Sequence, residues 1–317
     1  MDEPFFNQFD KGFEIHDESG NVVLKVGFIL TLYLKDGYRE ERQQLIADCI
    51  SKYLNVCHQH LNWATLPDSK RWVRFKKSRF ISPSQWLQDM QPGEDDSWQF
   101  IYHGGEKKES SSSFCVQAFS PGKWREDMGK LSFLSIYFPI NWFVNREDSF
   151  GQWVLDWSSK LNPYHGYASI GVHESFDQVE AELQEKTVFG LAKRFPGLDV
   201  DHPVEHSMYL NKGIKGVNWF TILNDYWLDQ FQIRKRLSEL PDGFEVTEYA
   251  GGAMIQSGSL PELGDRNRQI MLKNYPVLAK ILKDIRYKEH DAMHFSGGLN
   301  TEQTRLWLAR FEDGDLW

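Results

Sequence analysis

Seven apolar residues, Val22, Leu24, Val26, Phe28, Leu30, Leu32 and Leu34, occupy every second position of one run. A period of two alternates side chains across an extended backbone, so the spacing predicts a long strand with all seven on one face. Asp36-Gly37 ends it. An isolated strand is not stable in water, so the chain must supply neighbours and a covering layer. The first cover follows directly. From Arg39 to Cys57, Leu45, Cys49 and Tyr53, beside Ile46, Ile50 and Leu54, recur at spacing four. That is an amphipathic helix with Cys49 on its buried stripe, a small core hydrophobe rather than a reactive thiol.

Ser82-Pro83-Ser84-Gln85 combines a capping hydroxyl, proline at the first helical position and glutamine three residues on, a capping box. Trp98–Tyr102 and Phe114–Phe119 read as paired strands, joined by His103-Gly104-Gly105 and a Lys/Glu/Ser-rich loop expected to be mobile. Leu131–Phe138 is a further strand, and Ser149-Phe150-Gly151-Gln152 caps a helix carrying Trp153 and Trp157. The order then begins again. Tyr164–Val172 is a strand, and Ser175-Phe176-Asp177-Gln178 is a third capping box. The helix after it carries Val179, Leu183, Leu191 and Phe195 and stops at Pro196. Phe244–Tyr249 and Ala253–Ser257 make a hairpin around Gly251-Gly252, and Pro276–Ile285 and Asn300–Phe311 are helices. The expected class is therefore α+β, in two similar-looking halves, 1–160 and 161–317, each with an antiparallel-rich sheet packed against helices.

Composition narrows the function. The 317 residues carry a formal charge of -9, against the positive potential that a general nucleic-acid binder needs. Three cysteines, Cys49, Cys57 and Cys115, cannot all pair and lack metal-ligand spacing, which favours reduced thiols in a reducing compartment. The first 18 residues hold six acids against the single base Lys11, unlike a secretory leader. The most apolar run, Val22–Leu34, contains Lys25 and is too short to span a bilayer, which takes ~20 residues. The expected location is the cytoplasm, with no membrane partner.

Lys212-Gly213-Ile214-Lys215-Gly216-Val217-Asn218-Trp219 places two glycines and an asparagine just before the apolar run Trp219–Leu223. Glycine and asparagine tolerate positive φ, so this reads as a tight, specified turn entering a buried segment. Other segments stand around it in order: Val26–Gly37, Phe100–Glu106, Leu161–Ala168, Arg194–Val200, Gly251–Gly258, Leu263–Asn267 and Trp307–Phe311. Taken together, the ordered set resembles the type VI secretion immunity proteins of the TsiV family. The resemblance implies an inhibitor that shields its own cell from an antibacterial effector, with nucleases as the partners of characterised members. It implies no enzyme activity and no cofactor.

The sharpest catalytic pattern is His202-Pro203-Val204-Glu205-His206, an H-x-x-E-H arrangement in which two histidines could hold zinc and Glu205 could activate water. Pro203 belongs in the first helical turn, which puts His202 at or before the cap rather than on the helical face beside His206. A zinc-dependent hydrolase is thus the alternative reading, behind a helix start. His103-Gly104-Gly105-Glu106 lacks the G-x-S-x-G elbow that an oxyanion loop would accompany, and a hairpin turn accounts for its glycines. No phosphate-binding glycine motif is present. Lys70–Phe80 mixes bases with aromatics, the composition of a nucleic-acid stripe, and on an acidic chain reads better as a solvated strand or loop. The acidic sites fit an inhibitor best. Glu94, Asp95 and Asp96 lie in a Pro/Gly loop, and Asp199 and Asp201 flank Val200. Carboxylates can occupy the positive groove of a nuclease, speed encounter and exclude DNA. The expected function is binding and neutralisation of a cognate type VI effector, a DNA-cleaving nuclease, by occluding its active site or DNA groove. These five carboxylates are the expected contacts, with no metal, nucleic acid or small-molecule substrate.

Overall fold

Val22–Leu34 is a strand over its whole predicted length and lies at the centre of a twelve-stranded sheet as β2. The computed structural model describes residues 14–65, 67, 71–76, 81–144, 146, 149–312 and 317. The remaining strands, in chain order, are β1 (Ile15–His16), β3 (Trp63–Thr65), β4 (Trp72–Arg74), β5 (Trp98–His103), β6 (Cys115–Ser120) and β7 (Ser132–Phe138). Then come β8 (His165–Glu174), β9 (Asp199–Val200), β10 (Phe220–Asn224), β11 (Phe244–Tyr249) and β12 (Gly252–Ser257). Across the sheet they run β11-β12-β10-β8-β2-β7-β6-β5-β3-β4, with β1 added to β2 and β9 to β8. The ladders are antiparallel apart from β8–β9. Strands β1 to β7 therefore form one wing of the sheet and β8 to β12 the other, meeting where β2 pairs with β8 from Leu24↔Glu174 to Tyr33↔His165. Helices cover this largely antiparallel sheet, an α+β architecture.

The seven-residue apolar face of β2 is where the spacing puts it. Phe28 stacks on Phe150 at 4.6 Å, and the Glu40–Cys57 helix buries Ile46, Cys49, Ile50 and Tyr53. Covering a large side chain of this kind contributes ~1.5–3 kcal/mol. Burial holds the Cys49 thiol at about 12, so it is the inert core group expected. The opposite face of β2 is buried as well: Ile29, Thr31 and Tyr33 are inaccessible. A central strand covered on both sides has no polar face, and here Thr31 and the Tyr33 hydroxyl supply a polar row inside the molecule.

Two predicted helix starts are capped as read. The Ser82 side chain accepts from the Gln85 N–H, and Ser149 accepts from the Gln152 N–H. The third is corrected. Ser175 instead donates to the Glu109 carbonyl, and Asp177 caps the Gln178–Arg194 helix by accepting from the Val179 and Glu180 N–H groups. A carboxylate at the positive end of a helix is the stronger cap. The apolar residues read on that helix divide, with Leu191 and Phe195 packed against the core. Val179 and Leu183 are 65% and 67% exposed, while Glu185, Val188 and Ala192 are buried. Glu185 is drawn in because it accepts from the Phe295 and Ser296 N–H groups, both at 2.7 Å.

The serine-rich connection between β5 and β6 is also packed rather than loose. Ser110 to Ser113 are buried, the Ser111 N–H reaches the Val22 carbonyl at 2.8 Å, and the Ser111 hydroxyl donates to the His173 carbonyl at 2.6 Å. The glycine-rich turn forms as read. Gly216 has φ +139, and a Cβ on Gly213 would lie 2.7 Å from the Tyr287 backbone nitrogen. That close approach lets Ile214 exchange backbone hydrogen bonds with Ile285 and Tyr287.

Candidate functional site

The five carboxylates singled out in the sequence divide into two environments. Glu94, Asp95 and Asp96 are exposed in the loop between the Pro83–Met90 helix and β5. Gln91 ends the helix in the left-handed region at φ 46, which turns the chain outward. The Asp96 carboxylate then accepts from the Gly93 N–H at 2.8 Å, and the Asp95 carboxylate accepts from the Trp124 N–H at 3.2 Å. The Lys123 N–H donates to the Glu94 carbonyl at 2.7 Å. The loop is thereby fixed to the short Lys123–Asp127 helix, which carries Trp124, 48% exposed, next to Met128, 77% exposed. A shaped acidic loop beside an exposed aromatic ring results.

Asp199 and Asp201 are interior, and the surface role expected of them is not available in this structure: both are buried. The sheet register explains Asp201. In β2, Thr31 stands opposite Ser135 of β7 and opposite Tyr167 of β8, so the three hydroxyls form a row on one face. Asp201 sits over that row and accepts from Thr31 at 2.9 Å, from the Tyr167 hydroxyl at 2.5 Å and from the Tyr137 hydroxyl at 3.2 Å. Asp199 takes the other solution, an ion pair with Lys215, whose ammonium also donates to the Val200 carbonyl at 2.8 Å. Burial pushes the Asp199 carboxyl up and the Lys215 ammonium down from their ordinary values, the desolvation cost that the pair offsets. Lys215 lies 4.0 Å from the Tyr167 ring centroid, and the buried Arg310 guanidinium stands nearby over Trp307. Within this cluster, Asp199 and Asp201 stand against Lys215 and Arg310. Lys215, inside the glycine-rich turn, was not singled out in the sequence; a lysine between two glycines before a buried run was the available signal.

His202-Pro203-Val204-Glu205-His206 does open a short helix, Pro203–Tyr209, with His202 at its cap and Pro203 in its first turn. The histidines do not share a ligand set. His206 is buried and its Nδ1 bonds to His290 Nε2 at 2.9 Å, while His290 Nδ1 donates to the Asp291 carbonyl. His202 turns the other way, with Nε2 3.1 Å from Glu174 and Nδ1 3.9 Å from Glu205. Burial alone would depress its pKa, but the carboxylates of Glu174, Glu205 and Asp201, Glu174 foremost, together outweigh that and raise it to about 9. Among the described residues, the side chains close enough to hold an ion together are Glu174, His202 and His294. Glu205 and His206 are outside that set, so the zinc-hydrolase arrangement does not form.

Of the basic stripe Lys70–Phe80, Lys70 and 77–80 lie outside the described residues. The rest is the edge strand β4 and its flanks, with Arg71, Arg74 and Lys76 exposed and Trp72 and Phe75 half-buried. Charge on an edge strand discourages unwanted pairing, which accounts for the composition. No helix among the described residues is long and apolar enough to cross a membrane.

The TsiV family, described as type VI immunity for VRR-NUC, matches residues 45–311. The chain belongs to the TsiV family. The match spans both wings of the sheet, from the Glu40–Cys57 helix to the segment after the Thr301–Leu308 helix. Among solved structures, the Pseudomonas aeruginosa T6SS protein PA0821 superimposes with a TM-score of 0.83 at 23% identity, covering 99% of this chain and 93% of that one. At that identity the likeness establishes a shared fold. No curated protein matches the chain.

Proposed function

We propose that this TsiV protein binds a VRR-NUC nuclease effector and neutralises it by contact, without catalysis, by setting the Glu94–Asp96 loop against the effector's DNA-binding groove. The family membership supports the partner class. The observation that carries the contact is the loop itself: three exposed carboxylates held in shape by Asp96 on Gly93 and Asp95 on Trp124. A nuclease groove holds a phosphate backbone with positive charge, and a preshaped row of carboxylates competes for it with little ordering cost. Trp124 then serves as the aromatic anchor beside the charge, the residue type that dominates binding energy at interfaces. Inhibition of a DNA-cleaving enzyme is needed where the cell's DNA lies, which supports a cytoplasmic location for the proposed role.

The test is co-purification with the effector and DNA cleavage by the complex. A stoichiometric complex without cleavage is expected. In the triple variant Glu94→Lys, Asp95→Lys, Asp96→Lys, the association rate should fall at least ~10-fold at low salt, with the gap closing as salt rises. A complex that forms at an unchanged, salt-independent rate would move the contact elsewhere on the molecule. Failure to bind any VRR-NUC effector would sink the partner assignment.

A further inference from the structure

We propose that Glu174, His202 and His294 form a binding site for a first-row transition-metal dication of the zinc type. The three side chains arrive from separate places: Glu174 ends β8, His202 caps the Pro203–Tyr209 helix, and His294 lies in the segment between Leu282 and Thr301. One ligand atom from each lies within 4.8 Å of the other two. Ligands around a tetrahedral zinc stand roughly 3.4 Å apart, so closing on an ion needs side-chain adjustments of about an ångström. The His202–Glu174 separation, 3.1 Å, is already in that range.

Three further observations point to an ion rather than to a bare ion pair. His294 is 3% exposed, and its Nε2 is buried with no hydrogen-bond partner among the described residues. A buried ring nitrogen left so is costly unless something fills the space beside it. Its Nδ1 accepts a long hydrogen bond from the Leu299 N–H at 3.4 Å, so binding an ion through Nε2, which moves the ring proton to Nδ1, requires that contact to open. Next, Glu205 stands 3.9 Å from the second nitrogen of His202, beyond hydrogen-bond range and near enough to reach it when the ring shifts onto an ion. A carboxylate behind a ligating histidine is the usual outer support of a zinc imidazole, since it orients the ring and raises its basicity. Finally, Glu174 and His202 keep side-chain exposures of 12% and 18%, which gives an ion a path from solvent. Two imidazoles with one carboxylate suit zinc, cobalt or nickel and disfavour magnesium and calcium, which take oxygen ligands. Three protein ligands leave one position for water. Bound there, the ion would tie the segment between Leu282 and Thr301, which has no helix or strand of its own, to the end of β8.

The experiment uses the full chain without an affinity tag, stripped with chelator, and needs no effector, so it stands apart from the immunity assay. Calorimetry should show one Zn²⁺ bound per chain and no response to Mg²⁺, and the thermal midpoint should rise with Zn²⁺. His294→Gln should weaken zinc binding at least ~100-fold and Glu205→Gln about 10-fold, while the exposed His16→Gln should leave it unchanged. Co²⁺ should give the visible bands of a low-coordinate site. If the variants misfold, long-range nitrogen NMR of the wild-type protein decides, since zinc should shift His202 and His294 and leave the other imidazoles in place. Absence of saturable zinc binding, zinc affinity unaltered by His294→Gln, or shifts at other histidines would each overturn the site.

Discussion

Two pairs of neighbouring acids look alike in the sequence and behave oppositely in the fold. Asp95 and Asp96 follow a Pro/Gly turn, stay exposed, and spend hydrogen-bonding capacity on the N–H groups of Trp124 and Gly93. Asp199, in a two-residue strand, and Asp201, just after it, are buried and take an ammonium and four hydroxyls as partners. The difference lies in what the surrounding elements can offer. A loop at the end of a helix offers water and a few free N–H groups. The sheet offers a row of hydroxyls fixed by register, and a carboxylate can remain in the interior only where such donors are already aligned. Acid content in a loop therefore marks a contact surface only when the neighbouring chain is free to leave it wet.

The comparison breaks most visibly at Asp199. Asp199→Ala strands the Lys215 ammonium in the core and should cost about 3–5 kcal/mol in denaturant unfolding. Replacing both partners, Asp199→Leu with Lys215→Met, should recover most of that loss, because neither charge is then left unpaired. A single variant that loses under ~1 kcal/mol would mean that the pair carries little of the interior's stability.

Acid sharpens the contrast next. Burial holds His165 at about 4 and His173 at about 3, below the ordinary value near 6.5. Between those values the unfolded chain binds protons that the folded one refuses, so stability must fall as pH drops from about 6.5 toward 4. Each such histidine contributes a slope of roughly 1.4 kcal/mol per pH unit in that window. His173→Gln should flatten the measured slope by about that much, and an unchanged slope would place the acid sensitivity in other groups. Smallest of all, the charge-reversed Glu94–Asp96 loop should change stability by under ~1 kcal/mol in the same unfolding assay, since exposed positions tolerate substitution. A larger loss would mean that these carboxylates serve the fold more than a partner.

Local pattern carried the elements well where one period or one cap decided the outcome. The alternation of Val22–Leu34 and the serine caps at Ser82 and Ser149 are determined within a few residues. The misreadings all involve partners far along the chain. Ser175 is claimed by the Glu109 carbonyl, and Glu185 is turned inward by N–H groups at 295 and 296. Ser111 is pulled against the start of β2. The polar interior was legible in part: the acids flanking Val200 were visible, but the row formed by Thr31, Ser135 and Tyr167 exists only through β-pairing across the molecule. The histidine pattern gave His202 companions that the fold does not, because Glu174 and His294 meet His202 only after the second wing is built.

The pairing of β2 with β8 also sets a schedule for synthesis. Residues 34 and 174 mark the ends of the two strands, so 140 further residues (174 − 34) must be polymerised before the central ladder can close. At ~5–20 residues per second that interval lasts roughly 7–28 s. Throughout it, the nascent chain carries a long apolar strand with unpaired backbone on the side that β8 will occupy, a template for joining other chains. Ribosome-bound helpers that shield this edge, or slow translation that prolongs its exposure, would thus govern how much working protein a cell obtains from each message.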